Sequence, residues 1–313
     1  SAADGYGVLG VPLSTAPSDL RCLYIEVNVQ QSTQEWLALA AAAVGQYREK
    51  EELIQLRKLA EKAAATEAEL ERARRVQRQL IPVDGNVLGL SYTVGYRPSG
   101  AVGGDLIDIC ELPNGHVLLL LADVAGHGLD AALLAAGIQT AVRSCCAGGL
   151  SIDQALHAIN SQIARSFGGS RFATAAAFEL DPRSGQAQFV NAGHPPPFVL
   201  REDKEAESLP AGINPPLGID VDTRFLKLEL QLACDEVVFF YSDGLSELRT
   251  GESSRLNVNQ ARALVAEVAD QGVAELGQLR DRIWAKIEST CFVDTPDDDV
   301  TFLCAARGTE IHE

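Results

Sequence analysis

The chain has 313 residues, of which 46% are hydrophobic and 22% charged, and its formal charge is −17. That length accommodates one large domain plus a smaller segment, and the composition is ordinary for a soluble globular protein. The acidity argues against a nucleic-acid backbone as partner, because phosphate binding relies on clustered Lys and Arg. Seven cysteines form no C-x-x-C pair and several lie inside apolar runs, so they read as reduced thiols of a cytosolic protein. No signal-peptide pattern is evident, and apolar stretches such as Trp36 to Val44 are too short to span a bilayer. The expectation is a soluble, cytoplasmic protein with no membrane or nucleic-acid partner. Methionine is absent altogether.

The first segment, residues 1–45, opens with two strand-like runs, Val8 to Leu13 and Leu23 to Val27, around a polar turn at Ser14 to Asp19. Two strands alone are marginal, so this reads as the C-terminal part of a module that begins upstream. Residues 46–82 follow as the main part of a long helix. Leu56, Leu59, Ala63, Thr66, Leu70, Ala73, Gln77 and Leu80 fall on an a/d seam, with Glu and Arg crowding the other positions. The narrow seam and wide polar faces predict a coiled-coil linker that makes a homodimer. Pro82 stops it.

Residues 83–309 form the main domain. Strands are predicted over Leu88 to Tyr96, Leu106 to Glu111, Val117 to Ala122, Thr174 to Leu180, Ala187 to Asn191, Phe198 to Arg201, Phe225 to Leu230, Glu236 to Tyr241 and Val300 to Ala305. Asn114-Gly115 signals a hairpin between two of them. Helices are predicted over Leu129 to Cys145, Ile152 to Ser166, Val258 to Ala269 and Val273 to Ser289. Hairpin-joined strands with paired helices indicate an α+β domain, an antiparallel β-sandwich flanked by helices.

Four short segments carry the chemistry: Gly103-Gly104-Asp105, Asp123-Val124-Ala125-Gly126-His127-Gly128, Ser242-Asp243-Gly244 and Asp297-Asp298-Asp299-Val300-Thr301. Each sets an aspartate at the end of a predicted strand, three of them beside glycines that permit close backbone approach. A single Asp-Gly is usually a plain turn. Four such settings together suit hard oxygen ligands for Mg²⁺ or Mn²⁺, and two ions so held could activate a water and clamp a phosphoryl group. His127 sits in a glycine turn, where a structural or a proton-transfer role are both open. His194, ahead of three prolines, reads as a loop cap or a substrate neighbour.

From Leu70 to Ala306 the chain resembles the bacterial SpoIIE-like (RsbU-type) serine/threonine phosphatases of the PPM (PP2C-like) superfamily. The segments that carry the likeness are Glu69 to Pro82, Val102-Gly103-Gly104-Asp105-Leu106-Ile107-Asp108, Ala122 to Gly128, Asn191-Ala192-Gly193-His194-Pro195-Pro196, Pro216-Leu217-Gly218, Tyr241-Ser242-Asp243-Gly244-Leu245-Ser246-Glu247 and Asp298-Asp299-Val300-Thr301. The resemblance implies two Mn²⁺ or Mg²⁺ ions held by Asp105, Asp123, the Val124 carbonyl, Asp243 and Asp298, with Asp299 the competing candidate in the last motif. Asp108 would be an outer group or a third-metal ligand. The implied reaction is attack of a metal-activated water on phosphoserine or phosphothreonine, with a phosphorylated anti-anti-sigma (STAS) protein as typical substrate in a signalling or stress-response pathway. The superfamily's eukaryotic branch binds phosphate through an arginine near the first acidic motif; Arg97 is nearby in sequence but is not assigned that task. Residues 1–45 are similar, more loosely, to the end of a GAF sensory domain. Two other classes remain in view: a catalytically silent PPM-fold binding module, and a nucleotide-binding regulator suggested by Ser99 to Gly104. Retention of the acidic set disfavours the first, and the lack of a Gly-Lys-Ser/Thr loop disfavours the second.

Overall fold

A computed structural model of the chain describes residues 6–12, 22–28, 33–201, 204–210, 212–234, 236–270, 275–292 and 296–308. It separates into two units, Ser1–Glu69 and Leu70–Glu313. In the first, strands β1 (Tyr6–Pro12) and β2 (Cys22–Asn28) pair antiparallel, from Tyr6↔Asn28 to Pro12↔Cys22. The polar turn expected at Ser14 to Asp19 lies outside the described residues. Helix α1 (Thr33–Leu80) then runs unbroken for 48 residues, with no proline and with i,i+4 pairs such as Arg57–Glu61 at 2.9 Å. Residues 52–69 are exposed throughout, including Leu56 and Leu59 of the expected seam.

The second unit contains β3 (Gly85–Val87), β4 (Leu90–Arg97), β5 (Asp105–Glu111), β6 (Val117–Val124), α2 (Leu129–Ala147), α3 (Ile152–Phe167), β7 (Ala173–Leu180), β8 (Gln186–Ala192), β9 (Phe198–Arg201), β10 (Lys204–Ser208), β11 (Leu228–Gln231), β12 (Val237–Tyr241), α4 (Asp243–Ser246), α5 (Val258–Ala269), α6 (Leu276–Thr290) and β13 (Val300–Arg307). Six strands form one sheet in the order β10-β9-β12-β13-β4-β3, and five form the other in the order β11-β8-β7-β6-β5. All of the strand pairs are antiparallel. The sandwich expected from the sequence is therefore present, with β3, β10 and the one-turn α4 as additions. The start of the last helix, expected at Val273, lies outside the described residues.

Alternation explains why so many strands read as unbroken apolar runs. On β6, Leu118, Leu120 and Ala122 face α2 and α3, while Val117, Leu119 and Leu121 face the other sheet. Both faces are buried, so no polar residue interrupts the run until Asp123. On the six-stranded sheet, Phe239 and Phe302 face α5 and α6, stacked with centroids 5.5 Å apart, a contact worth about 0.5–1.5 kcal/mol beyond the area buried. Capping boxes fix where α3 and α5 begin: in α5, Asn257 Oδ1 accepts from Gln260 N at 3.0 Å and Gln260 Oε1 accepts from Asn257 N at 3.0 Å.

Candidate metal centre

The antiparallel order brings the four acidic motifs to one edge of the sandwich. Asp105 opens β5 and lies directly opposite Asp123 near the end of β6. Both belong to the alternation set that faces the other sheet, shared with Ile107 and Leu121. Directly opposed residues have Cβ atoms about 4.5–5.5 Å apart, and like charges in that register repel. Across the sandwich, β12 ends at Tyr241 opposite Phe302 of β13, so Asp243 and the Asp297–Asp299 segment flank the same edge. Ser242 stitches them together: its N donates to Thr301 O at 2.9 Å and its hydroxyl to Asp299 O at 3.0 Å.

Glycine is required here by proximity. A Cβ on Gly104 would stand 2.7 Å from the Val124 carbonyl oxygen, and one on Gly244 would collide with the Asp299 carbonyl. The three acids of the last motif have different surroundings. Asp297 is exposed and paired with Arg255 at 2.8 Å. Asp298 is exposed, and its Oδ1 accepts from Asp299 N at 2.8 Å. Asp299 is buried: Oδ1 accepts from Ser99 N and Oγ at 2.8 and 3.1 Å, and Oδ2 from Gly104 N at 2.8 Å. Its oxygens are thus already engaged in fastening the β13 end to the Gly103-Gly104 loop.

The electrostatics are those of a site short of positive charge. Burial, then the Asp123 charge, holds Asp105 well above the usual carboxylate range. Burial, followed by Asp243, Asp298 and Asp299, pushes Asp123 up to about 7. Burial, Asp298 and Glu247 push Asp243 up to about 6. Asp105 Oδ2 is buried and accepts no hydrogen bond, an orphan acceptor that a cation would satisfy. Among the described residues, no three His, Cys, Asp or Glu side chains sit close enough together to hold one ion by themselves. A Mg²⁺-like ion binds through one or two carboxylates and keeps several waters. The residues present fit a hard divalent cation.

The family signature of stage II sporulation protein E (SpoIIE) matches residues 113–308. The chain belongs to the SpoIIE family. Among relatives, phosphoserine phosphatase RsbP of Bacillus subtilis is 28% identical over 194 residues, covering 58% of this chain and 46% of that protein. Phosphoserine phosphatase RsbU of B. subtilis is 28% identical over 138 residues, 42% of this chain and 39% of that one. The chain thus spans less than half the length of these curated relatives. The structure of the RsbU and RsbW domains of Rv1364c from Mycobacterium tuberculosis superposes with TM-score 0.61 at 29% identity, over 73% of this chain and 62% of that one. The SiaA-PP2C domain of Pseudomonas aeruginosa superposes with TM-score 0.65 at 20% identity, over 79% and 98%, a likeness of fold. The PPM sandwich is the fold of this SpoIIE-family chain.

Within that fold the remaining sequence candidates scatter. Asp108, three residues beyond Asp105 on β5, faces α2 instead and is bonded to Arg143, whose Nε donates to Oδ2 at 2.9 Å. It does not join the acidic edge. His127 is exposed between Gly126 (φ 104°) and Gly128 (φ 82°), just before α2. His194 is buried, held neutral with a pKa pushed down to about 3 by burial, and bonded through Nδ1 to Thr174 Oγ1 at 2.7 Å. Asn191 clips its turn, accepting from His194 N at 2.8 Å, so the loop-cap reading describes it best. Arg97 stacks over Trp284 and pairs with Glu288 at 2.7 Å. Sequence reasoning missed Gln77, which receives Gly103 N at 3.1 Å and donates to Gly103 O at 2.7 Å. It also missed Gln139, which ties Leu80 O to Ile107 O with bonds of 2.9 and 3.0 Å. Gln77 lay in the predicted seam, where a polar residue is the one available signal.

Proposed function

We propose that this SpoIIE-family chain is a Mn²⁺- or Mg²⁺-dependent protein serine/threonine phosphatase. The observation that carries the reading is the opposed pair Asp105 and Asp123, buried or half-buried and raised in pKa, with Asp243 and Asp298 at the same edge. Asp105, Asp123 with the Val124 carbonyl, Asp243 and Asp298 would hold two ions. Bound ions would supply an activated water for attack on phosphorus and neutralise charge on the phosphoryl oxygens. Asp299 would serve by fastening the loop that presents Asp105, since its oxygens already accept three hydrogen bonds.

The substrate class we assign is phosphoserine or phosphothreonine on a signalling protein, a phosphorylated STAS-type anti-anti-sigma factor in the first instance. The names of RsbP and RsbU, both phosphoserine phosphatases, support the phosphoserine part of that assignment. Loss of the phosphate would switch partner binding by removing a charged group. Residues 1–45 would be the end of a GAF-like sensor, and α1, with Leu56 and Leu59 exposed, would pair with a second copy. Gln77 gives that helix a grip on the Gly103 backbone, two residues before Asp105, through which a sensor state could reach the site. No helix of the described residues is long and apolar enough to cross a membrane. Action in the cytoplasm is part of the proposal.

The test is phosphate release from p-nitrophenyl phosphate and from a phosphoserine STAS protein with Mn²⁺, Mg²⁺ or EDTA. EDTA-sensitive release, faster on the protein, is the expected result. No release from either substrate with any metal would favour the silent binding module.

A further inference from the structure

Beside the acidic edge, the segment between α4 and α5 doubles back as a small hairpin. Arg249 and Arg255 pair across it in an isolated antiparallel bridge. Bonds from Thr250 N to Ser254 O and from Leu256 N to Leu248 O, both 2.9 Å, close it. Both arginines reach one carboxylate: Arg255 Nη2 is 2.8 Å from Asp297 Oδ2 and Arg249 Nε is 3.8 Å from the same oxygen. Arg255 is itself braced by Glu247, with Nη1 3.6 Å from Oε2 and donating to the backbone O at 3.3 Å. The Arg249 carbonyl accepts from Phe292 N at 2.8 Å, tying the hairpin to the chain that follows α6.

Asp297 immediately precedes Asp298. On the other side of Asp298, Asp299 is fixed by Ser99 and Gly104. Asp298 is thus an exposed acid on a three-residue span anchored at both flanks, by guanidinium groups on one side and by backbone and hydroxyl donors on the other. We propose that Arg255 and Arg249, acting through Asp297, are positioning residues that set Asp298 as a metal ligand. The inference rests on the metal reading of the acidic edge.

The physical reason lies in the tolerance of the ion. A Mg²⁺-like cation demands near-octahedral geometry at about 2.0–2.1 Å, so a ligand on a loose loop binds poorly unless something holds it. Groups that orient ligands from outside change metal affinity by roughly 10–100-fold when removed. Arginine suits the task because its planar fork engages Asp297 and Glu247 at once, which a lysine point charge does less well. The side chains of Arg249, Arg255 and Asp297 are 35%, 48% and 40% exposed, so the cluster adds little to fold stability. Its loss should leave the domain folded and register at the metal.

The experiment is a Mn²⁺ titration of the full chain by calorimetry and by electron paramagnetic resonance, for the wild type, Arg255→Ala, Asp297→Asn, the double variant and Arg255→Lys. The expected result is roughly 10–100-fold weaker binding of one ion in each single variant. The double variant should lose no more than either single one, because the two act as a unit, and Arg255→Lys should recover part of the loss. At saturating Mn²⁺, turnover of p-nitrophenyl phosphate should return with KM unchanged. Unaltered Mn²⁺ affinity in Arg255→Ala and Asp297→Asn, with native circular dichroism, would overturn the proposal. So would a raised KM at unchanged metal affinity, which would make Arg255 a substrate contact, or additive losses in the double variant. A wild type that binds no Mn²⁺ would overturn the metal reading along with it.

Discussion

Asp105 and Asp108 lie on the same strand and are both shut away from solvent, at 2% and 0% exposure, yet the fold treats them in opposite ways. On the helix-covered face, Asp108 receives the Arg143 guanidinium and the Ile109 N–H, the latter at 3.0 Å. On the inter-sheet face, Asp105 meets another carboxylate across the strand pair and keeps an oxygen without a donor. A buried charge with its counter-ion supplied from within the chain is a structural device. One left facing its own kind carries an electrostatic cost that protonation or an external cation can relieve. The contrast separates an acid paired within the fold from one that the proposed metal site would use, although both sit in the same short motif.

The contrast can be broken most directly by neutralising each side. Asp123→Asn or Asp243→Asn should take phosphate release to background while circular dichroism stays native; full activity in both would refute the site. Arg143→Ala should do the reverse, sparing Mn²⁺ affinity but leaving Asp108 buried and unpaired. Breaking a buried pair costs about 3–5 kcal/mol, and the low end applies because Arg143 is half in solvent, measurable as a shift of the urea midpoint. Equal loss of Mn²⁺ binding in that variant would erase the distinction.

Gly104→Ala tests the edge without touching a charge. Its Cβ would crowd the Val124 carbonyl, so a cost of about 1–3 kcal/mol should accompany weaker Mn²⁺ binding by calorimetry. The pH dependence sharpens the comparison further. Asp123 and Asp243 have folded pKa values raised to about 7 and about 6 from 3.8, so protonation favours the folded state. Their stabilising contribution is fully present below about 4 and is lost as pH rises through those folded values. In EDTA, Asp123→Asn should therefore be more thermostable than the wild type at pH 8, with the gap closing towards pH 5. Excess Mn²⁺ should close or invert the gap at pH 8, because an ion that binds only the folded state adds to its stability. The smallest effect belongs to Arg97→Ala. That side chain is partly exposed and engaged with Trp284 and Glu288, so KM should not move and stability should fall by about 1 kcal/mol or less.

Much of the fold was legible because its signals are local. The runs Phe198–Arg201 and Val258–Ala269 form the strand and helix expected residue for residue. Their boundaries are written in neighbouring residues, by the prolines before Phe198 and the Asn257 cap. β3 and β10 were not legible: they are short edge strands whose pairing partners decide them. The expected strand from Phe225 begins instead at Leu228, because Phe225 is drawn into the core beneath α2 and α3.

The same division holds at the site. By itself the sequence determined that glycine-flanked acids would stand at strand ends, since apolar runs and turn residues are short-range information. Which acid does what is a matter of contacts between residues far apart. Gly104 N and Asp299 are separated by 195 positions, Arg143 and Asp108 by 35, and Gln77 and Gly103 by 26. The motif resemblance favoured Asp298 over Asp299 and Asp105 over Asp108, but composition and spacing alone did not show the partners that set them apart. The difference arises when closure of the sandwich decides which carboxylate finds a donor or a guanidinium and which is left facing another carboxylate.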